Sequence, residues 1–281
     1  MSRWRRRFGV TAVAVVAVLG AAKVVVELRD QVDPVDLDAL AEDFAGSASA
    51  TGEGGPEEPG TGTGGPEDLP VGLWSYAATG SEYIDILGGP LHEFPPLVAQ
   101  GVTDTACGQS ITVQLFEQRY DTLELCRDDQ GALVLDRFET RHEFVGIVDV
   151  TVTEGCAPIR FWWKGIEADA GSEPTSVECT AVGDMSGEVG ATVTREVVGV
   201  EPVEVDGAPL DAVRVRLTST VGTPADPTHG TYDGEFWFGV DDGVILRRTL
   251  DARVEASTPL GNIGFEETFD IVATSTEPRA G

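Results

Sequence analysis

Six apolar side chains fall on alternate positions near the C-terminus: Val244, Leu246, Leu250, Ala252, Val254 and Ala256, broken only by Arg248. The intervening positions carry Arg247, Thr249, Asp251, Arg253 and Glu255. A period of two belongs to an extended chain whose side chains point to opposite faces, one covered and one wet. The next run repeats it. Ile263, Phe265, Phe269, Ile271 and Ala273 share a face with Glu267, against Glu266, Thr268, Asp270 and Thr274. Parallel sheets are covered on both faces, so this pattern specifies an antiparallel one.

Other strand-like runs, back to about Pro70, are separated by turn signals: Asp128-Asp129-Gln130-Gly131, Asp206-Gly207, Asp241-Asp242-Gly243 and Gly261-Asn262. Helical spacing is nearly absent there. The expected fold is mainly β, a single all-β domain over residues 70–281.

Upstream the chain changes character. Arg3, Arg5, Arg6 and Arg7 precede an apolar run from Phe8 to Val26, 19 residues counted through Lys23. A helix needs roughly 20 residues to cross a bilayer, and positive charge stays on the cytoplasmic side. The expectation is a cytoplasmic tail at 1–7, a single-pass anchor in the cell membrane at 8–26, and an extracytoplasmic remainder. A cleaved signal peptide, with Gly20 and Ala22 before the cut, is the alternative; the valines after Lys23 favour the anchor. The first cysteine is Cys107, far from any acylation position.

Asp33-Pro34 reads as a helix start, with Asp as N-cap and Pro in the first turn. Leu37, Leu40, Ala41 and Phe44 follow at helical spacing, so a juxtamembrane amphipathic helix is expected within 27–45. It would serve as a stalk or meet a partner helix. Residues 46–69 hold eight glycines, three prolines and five acids, a linker spanning about 27 Å as a flexible coil. Gly60, Gly62 and Gly65 match a dinucleotide-binding pattern by letter only, since no strand precedes them and no helix follows.

The formal net charge is −29. From residue 30 onward 13 basic residues face 47 acidic ones, so the outer part carries about −34. Such a surface repels nucleic acid and anionic head groups, and excludes nucleic acid as a partner. Four cysteines beyond the apolar segment read as two disulfides, and no C-x-x-C pair suggests a metal site. Of three possible connectivities, Cys107–Cys126 and Cys156–Cys179 each close a local loop across adjacent strands.

His92, His142 and His229 show no metal spacing, and no cofactor motif is present. The nucleophile-elbow pattern is absent, because Gly183-Asp184-Met185-Ser186-Gly187 misplaces the serine. With 48 acidic residues, a neighbouring carboxylate pair has almost no specificity as a glycosidase signal. No nucleophile, base and orienter can be assembled, so a non-enzyme is expected, with a hydrolase left open. Arg214, Arg216, Arg247 and Arg253, with Asp251, Glu255 and Asp270, read as cross-strand charge pairs on the wet face.

The aromatics are more informative. Phe161-Trp162-Trp163 and Phe236-Trp237-Phe238 put rings on both faces of a strand, so both faces need cover from protein or ligand. Alternation sends Phe161 and Trp163 one way and Trp162 the other. Phe161, Trp163, Phe236 and Phe238 are the candidate ligand-binding residues.

The run Phe236-Trp237-Phe238-Gly239-Val240-Asp241-Asp242-Gly243-Val244-Ile245-Leu246-Arg247 resembles a hairpin of exported bacterial sheet proteins, including the curved half-barrels of the LolA-like lipoprotein-carrier class. With Ser257-Thr258-Pro259-Leu260-Gly261, Glu266-Glu267, the arginine-rich start, the linker and the paired cysteines, the layout is similar to single-anchor exported proteins of actinobacteria. The resemblance implies a large curved sheet, a half-barrel-like meander, holding a hydrophobic small molecule or lipid on its concave face. Classical carriers lack a peptide anchor, so local capture replaces ferrying. The competing expectation is a non-catalytic structural or interaction module that meets an envelope protein through its acidic surface.

Both disulfides are expected to brace the sheet, each contributing about 2–4 kcal/mol. Non-reducing peptide mapping checks the pairing; four free thiols or a Cys107–Cys179 link would refute it.

Overall fold

The computed structural model describes residues 33–50, 68–85, 91–144, 147–183, 187–258 and 261–279. The expected tail and membrane segment, and most of the expected linker, lie outside these residues. Among the described residues no helix is long and apolar enough to cross a membrane.

Among the described residues the chain forms fourteen strands. They are β1 (Gly72–Ile84), β2 (Leu91–Glu93), β3 (Leu97–Asp104), β4 (Gly108–Phe116), β5 (Arg119–Arg127), β6 (Leu133–Phe144) and β7 (Ile147–Glu154). Then come β8 (Ile159–Trp162), β9 (Thr175–Gly183), β10 (Gly187–Val205), β11 (Ala208–Val221), β12 (Thr228–Gly239), β13 (Ile245–Thr258) and β14 (Gly261–Ala273). Turn chemistry sets the register of the hairpins. At the β10–β11 turn, Asp206 and Gly207 take φ of 50° and 74°, and Val205 pairs with Ala208. Two positive φ angles give the two-residue turn whose twist matches its strands.

The expected half-barrel is instead a closed barrel. Tyr76–Ile84 of β1 pairs antiparallel with Phe265–Ala273 of β14, which joins the first strand to the last. Period-two alternation specifies that one face is covered but carries no information about edges. Here closure removes the unpaired N–H and C=O groups that an open sheet would expose. The wall has twelve staves in up-and-down order, because β2 with β3, and β7 with β8, each form one interrupted stave. Phe94-Pro95-Pro96 makes the first interruption, since proline donates nothing to a ladder.

The helix α1 (Leu37–Ala50) begins three residues later than Pro34 and runs past Ala45. Asp36 caps it, its Oδ1 accepting from the backbone N–H groups of Asp38 and Ala39 at 3.1 Å each. Asp33 is held elsewhere: its oxygen accepts from the Glu117 N–H, and its own N–H donates to the Gln118 side chain. The apolar stripe lies on the outer wall of the barrel, Ala41 buried against Leu73 and Ala99 with Leu37, Leu40 and Phe44 around them. The helix therefore packs on its own domain.

Cys107 is bridged to Cys126 and Cys156 to Cys179. The first bridge crosses the β4–β5 pair, and the second ties the segment after β7 to β9.

The closing seam contains a position that only glycine fits. Gly80 has φ of 140°, and a Cβ there would lie 2.1 Å from the Thr268 carbonyl oxygen and 2.7 Å from Phe269 Cα, both on β14. Gly80→Ala is expected to destabilise the barrel by about 2–3 kcal/mol through strain and a pushed-apart seam. Denaturant melts of the full chain check this, together with faster amide exchange along β1 and β14.

Candidate functional site: the barrel lumen

A barrel of about eight staves is just filled by its own inward side chains, so twelve leave space unless large residues fill it. One end is filled. Phe161 meets the Phe236 and Phe238 rings edge-on at 5.1 and 5.6 Å, and Trp162 lies 4.8 Å from Phe238. Buried Tyr76 donates its hydroxyl to the Ile245 carbonyl at 2.6 Å and accepts from Gln100 at 2.8 Å.

Beyond this plug lies a cavity of about 150 Å³. Leu123, Leu135, Phe138, Phe236 and Arg248 line its inner part, and Val193, Leu217, Tyr232 and Leu250 its middle. Val189, Val221, Val254, Ala256, Ile263 and Ile84 line it toward the far ends of their strands. None of the lining comes from β3 or β4. The walls are mainly aliphatic and aromatic, with Thr140, Thr151, Thr153, Ser219, Thr228 and His142 interspersed.

A buried charged cluster borders this space. Arg119 donates to both carboxylate oxygens of Glu267 at 3.0 and 2.7 Å and to Asp121 at 2.6 Å. Its Nε lies 3.9 Å from Glu82. Glu82 and Glu267 stand directly opposite one another across the β1–β14 seam. Like charges so placed repel, and Arg119 reaches across from β5 to sit against both. Asp121 also accepts from Arg248 at 3.1 Å, while His92 and His142 lie 3.1 and 3.6 Å from Glu82. All but His92, at the margin of exposure, are buried.

Burial and charge divide the protonation states. Burial opposes ionisation of Glu82, but the imidazoles of His142 and His92 and the charge of Arg119 outweigh it and hold the carboxyl down to about 2. For Asp121 burial again opposes ionisation, and Arg119 and Arg248 prevail, lowering its pKa. Glu267 goes the other way. Burial, with the repulsion of Asp121 and Glu82, overcomes Arg119 and pushes it up to about 7. Burial, then Arg119, pushes His142 down to about 4, so its ring is neutral at pH 7. Three carboxylates around two guanidiniums thus keep one proton near neutrality.

The sequence-derived ligand candidates divide. Of the four, Phe236 lines the cavity, whereas Phe161 and Phe238 form the plug. Trp163 lies past the end of β8, where the Arg195 guanidinium covers its ring at 4.8 Å. The strand ends at Trp162, so Phe161 and Trp162 both turn to the Phe238 ring and the expected alternation stops there. Trp237 points outward between Arg214 and Arg247, at 5.3 and 4.7 Å, and donates to Glu201. The outer arginines pair across strands, Arg214 and Arg216 with Glu235 and Arg247 with Asp270. Among the described residues no group of three or more His, Cys, Asp or Glu is placed to hold a metal.

Sequence reasoning did not single out Glu82, Arg119, Asp121, His142, Arg248 or Glu267 as a site. The available signal was interruption. Arg248 and Glu267 stand alone on apolar faces, and Arg119 and Asp121 alternate in phase with Leu123 and Leu125.

Fold and lumen define the class: a closed antiparallel up-and-down β-barrel with an interior cavity. No protein-family model and no curated relative matches the chain. Among solved structures it is similar to the hypothetical lipoprotein YmcC of Escherichia coli (K12), at 11% identity over 72% of this chain and 86% of that one, with a TM-score of 0.27. A lipoprotein candidate of Parabacteroides distasonis ATCC 8503 is also similar, at 11% identity over 74% and 96% of the two chains, with a TM-score of 0.31. Likeness at this level supports no inference about what the chain does.

The protonated Glu267 gives a pH signature. Its folded pKa of about 7 lies above the usual carboxylate value of 4.5. Between those limits the folded chain holds a proton that the unfolded chain releases, so this group lowers stability as pH rises. Glu267→Gln removes the effect. The variant is expected to match the native chain near pH 4.5 and to gain on it up to pH 7, by at most about 1.4 kcal/mol per pH unit. Urea melts across that range check the slope.

Proposed function

We propose that the barrel lumen binds a hydrophobic or lipidic molecule outside the cytoplasm, and that the protein acts as a binding module without catalysis. The supporting observation is the cavity. Its walls are built largely from aliphatic and aromatic side chains, yet the chain's own residues leave it open, while the plug end is packed tight. A barrel that needed only stability would fill that volume, since unfilled apolar space costs packing energy. The bridges Cys107–Cys126 and Cys156–Cys179 fit an oxidising compartment, which agrees with export. The apolar segment at 8–26 would hold the barrel near a membrane, where such ligands are concentrated.

Native mass spectrometry with lipid extraction tests this on the full chain produced in an oxidising compartment. A stoichiometric co-purified lipid, or one taken up from a mixed extract, is expected. Leu217→Trp, which places an indole in the cavity, is expected to abolish uptake while the melt stays cooperative. A clean apo mass after exposure to the extract would overturn the reading in favour of an interaction module with an acidic surface.

A further inference from the structure

The lumen is not uniformly apolar. Three polar side chains that line the cavity lack a hydrogen-bond partner among the described residues: Arg248 through Nε and Nη1, Ser219 through Oγ and Thr228 through Oγ1. Arg248 is the costly one. Its residue is 3% exposed, and its one hydrogen bond among the described residues goes from Nη2 to Asp121, a carboxylate it shares with Arg119. Phe236 and Phe269 lie 5.0 and 5.3 Å from its Cζ and attract the cation through their ring faces. Such contact leaves the remaining N–H groups, which lie in the guanidinium plane, without acceptors. A buried arginine so placed carries a desolvation cost that an acceptor of opposite charge removes.

Arg248 also sits where a head group would lodge. It ends the inner side of the β13 lining run, against Phe236, and Leu250, Val254 and Ala256 continue the wall away from it. An acceptor at Arg248 would leave an attached chain to extend along those residues, past Ser219 and Thr228.

We propose that Arg248 is a head-group residue, and that the lumenal ligand is a single-tail lipid with an anionic head, a carboxylate or a monophosphate. This rests on the reading of the lumen as a lipid-binding site and names the class of lipid. The groups facing Arg248 are Asp121 and Arg119 on β5, Glu267 on β14 and Tyr76 on β1, with His142 on the same cavity wall. With Glu267 protonated and His142 neutral, two carboxylates balance two guanidiniums, and an incoming anion meets no net negative charge.

The test uses the full chain in nanodiscs, with empty nanodiscs subtracted, at about pH 6.5, below the Glu267 midpoint. The probes are cis-parinaric acid and its methyl ester, which share a tail and differ in charge. The acid is expected to bind about tenfold or more tighter than the ester, the range of one charge-assisted hydrogen bond. Arg248→Met is expected to bring that ratio to about one while the ester still binds. Displacement by lauric acid and by dodecyl phosphate then separates the two heads. Equal binding of acid and ester by the native chain would overturn the proposal and leave the lipid-binding reading standing. Binding of neither would overturn both. The acid-to-ester ratio of the native chain decides the matter even if Arg248→Met fails to fold.

Discussion

The seam that closes the barrel buries a cluster of charged side chains. The β1–β14 seam sets Glu82 against Glu267, facing inward and buried. His142 and His92 stabilise the Glu82 carboxylate, while burial and the neighbouring carboxylates push the Glu267 pKa up to about 7. Arg119 comes from β5, across the lumen, and binds Glu267 through both oxygens while lying 3.9 Å from Glu82. The contact is long-range in sequence, 148 residues for Arg119 and Glu267. It links β5 to the last strand, which closure sets beside β1.

The same arrangement determines what the lumen can be. Closure converts a wet and a covered face into an outside and an inside. Twelve staves then enclose more room than ordinary inward residues fill. Phe161, Trp162 and Phe238 fill one end, Phe236 lies between them and the cavity, and the charged cluster borders the space that remains. Had the sheet stayed open, its apolar face would have been a concave groove in contact with solvent. Closed, it is an interior in which Nε and Nη1 of Arg248, Oγ of Ser219 and Oγ1 of Thr228 are shielded from solvent, so their lack of a partner among the described residues carries information.

Much of the fold was legible because its determinants are local. Alternation at Val244–Ala256 and Ile263–Ala273 identified strands and their faces, and Asp206-Gly207 identified a hairpin turn. Closure was not legible. It is decided by the partners of β1 and β14, nearly two hundred residues apart, and period-two patterning is identical in a half-barrel and a barrel. The helix start was misplaced for a similar reason. Asp33-Pro34 has the chemistry of a cap, but Gln118 and Glu117 hold Asp33 and leave Asp36 to cap the first turn. For the site, the aromatic candidates divided: Phe236 lines the cavity, Phe161 and Phe238 lie in the packed end, and the charged border was not singled out. Rings are the commonest way to fill a core, so their presence does not distinguish a plug from a ligand wall.

Stability alone does not account for the buried cluster. Replacing a buried ion pair by apolar groups of similar volume is often neutral or stabilising, because desolvation offsets the Coulombic attraction. A barrel with leucines at Asp121, Arg119, Glu82 and Glu267 would close without a repelling pair to neutralise. What such a barrel would lack is the charge pairing of β5 with β14 and the guanidinium that the proposed ligand reading uses. Arg119 supplies that pairing, through Glu267 on β14 and Asp121 on its own strand. Arg248 lies away from the seam pair: its one hydrogen bond among the described residues goes to Asp121, which Arg119 also holds. On the proposed lipid-binding reading, the unpartnered Nε and Nη1 of Arg248, beside the apolar cavity, are where an anionic head would bind.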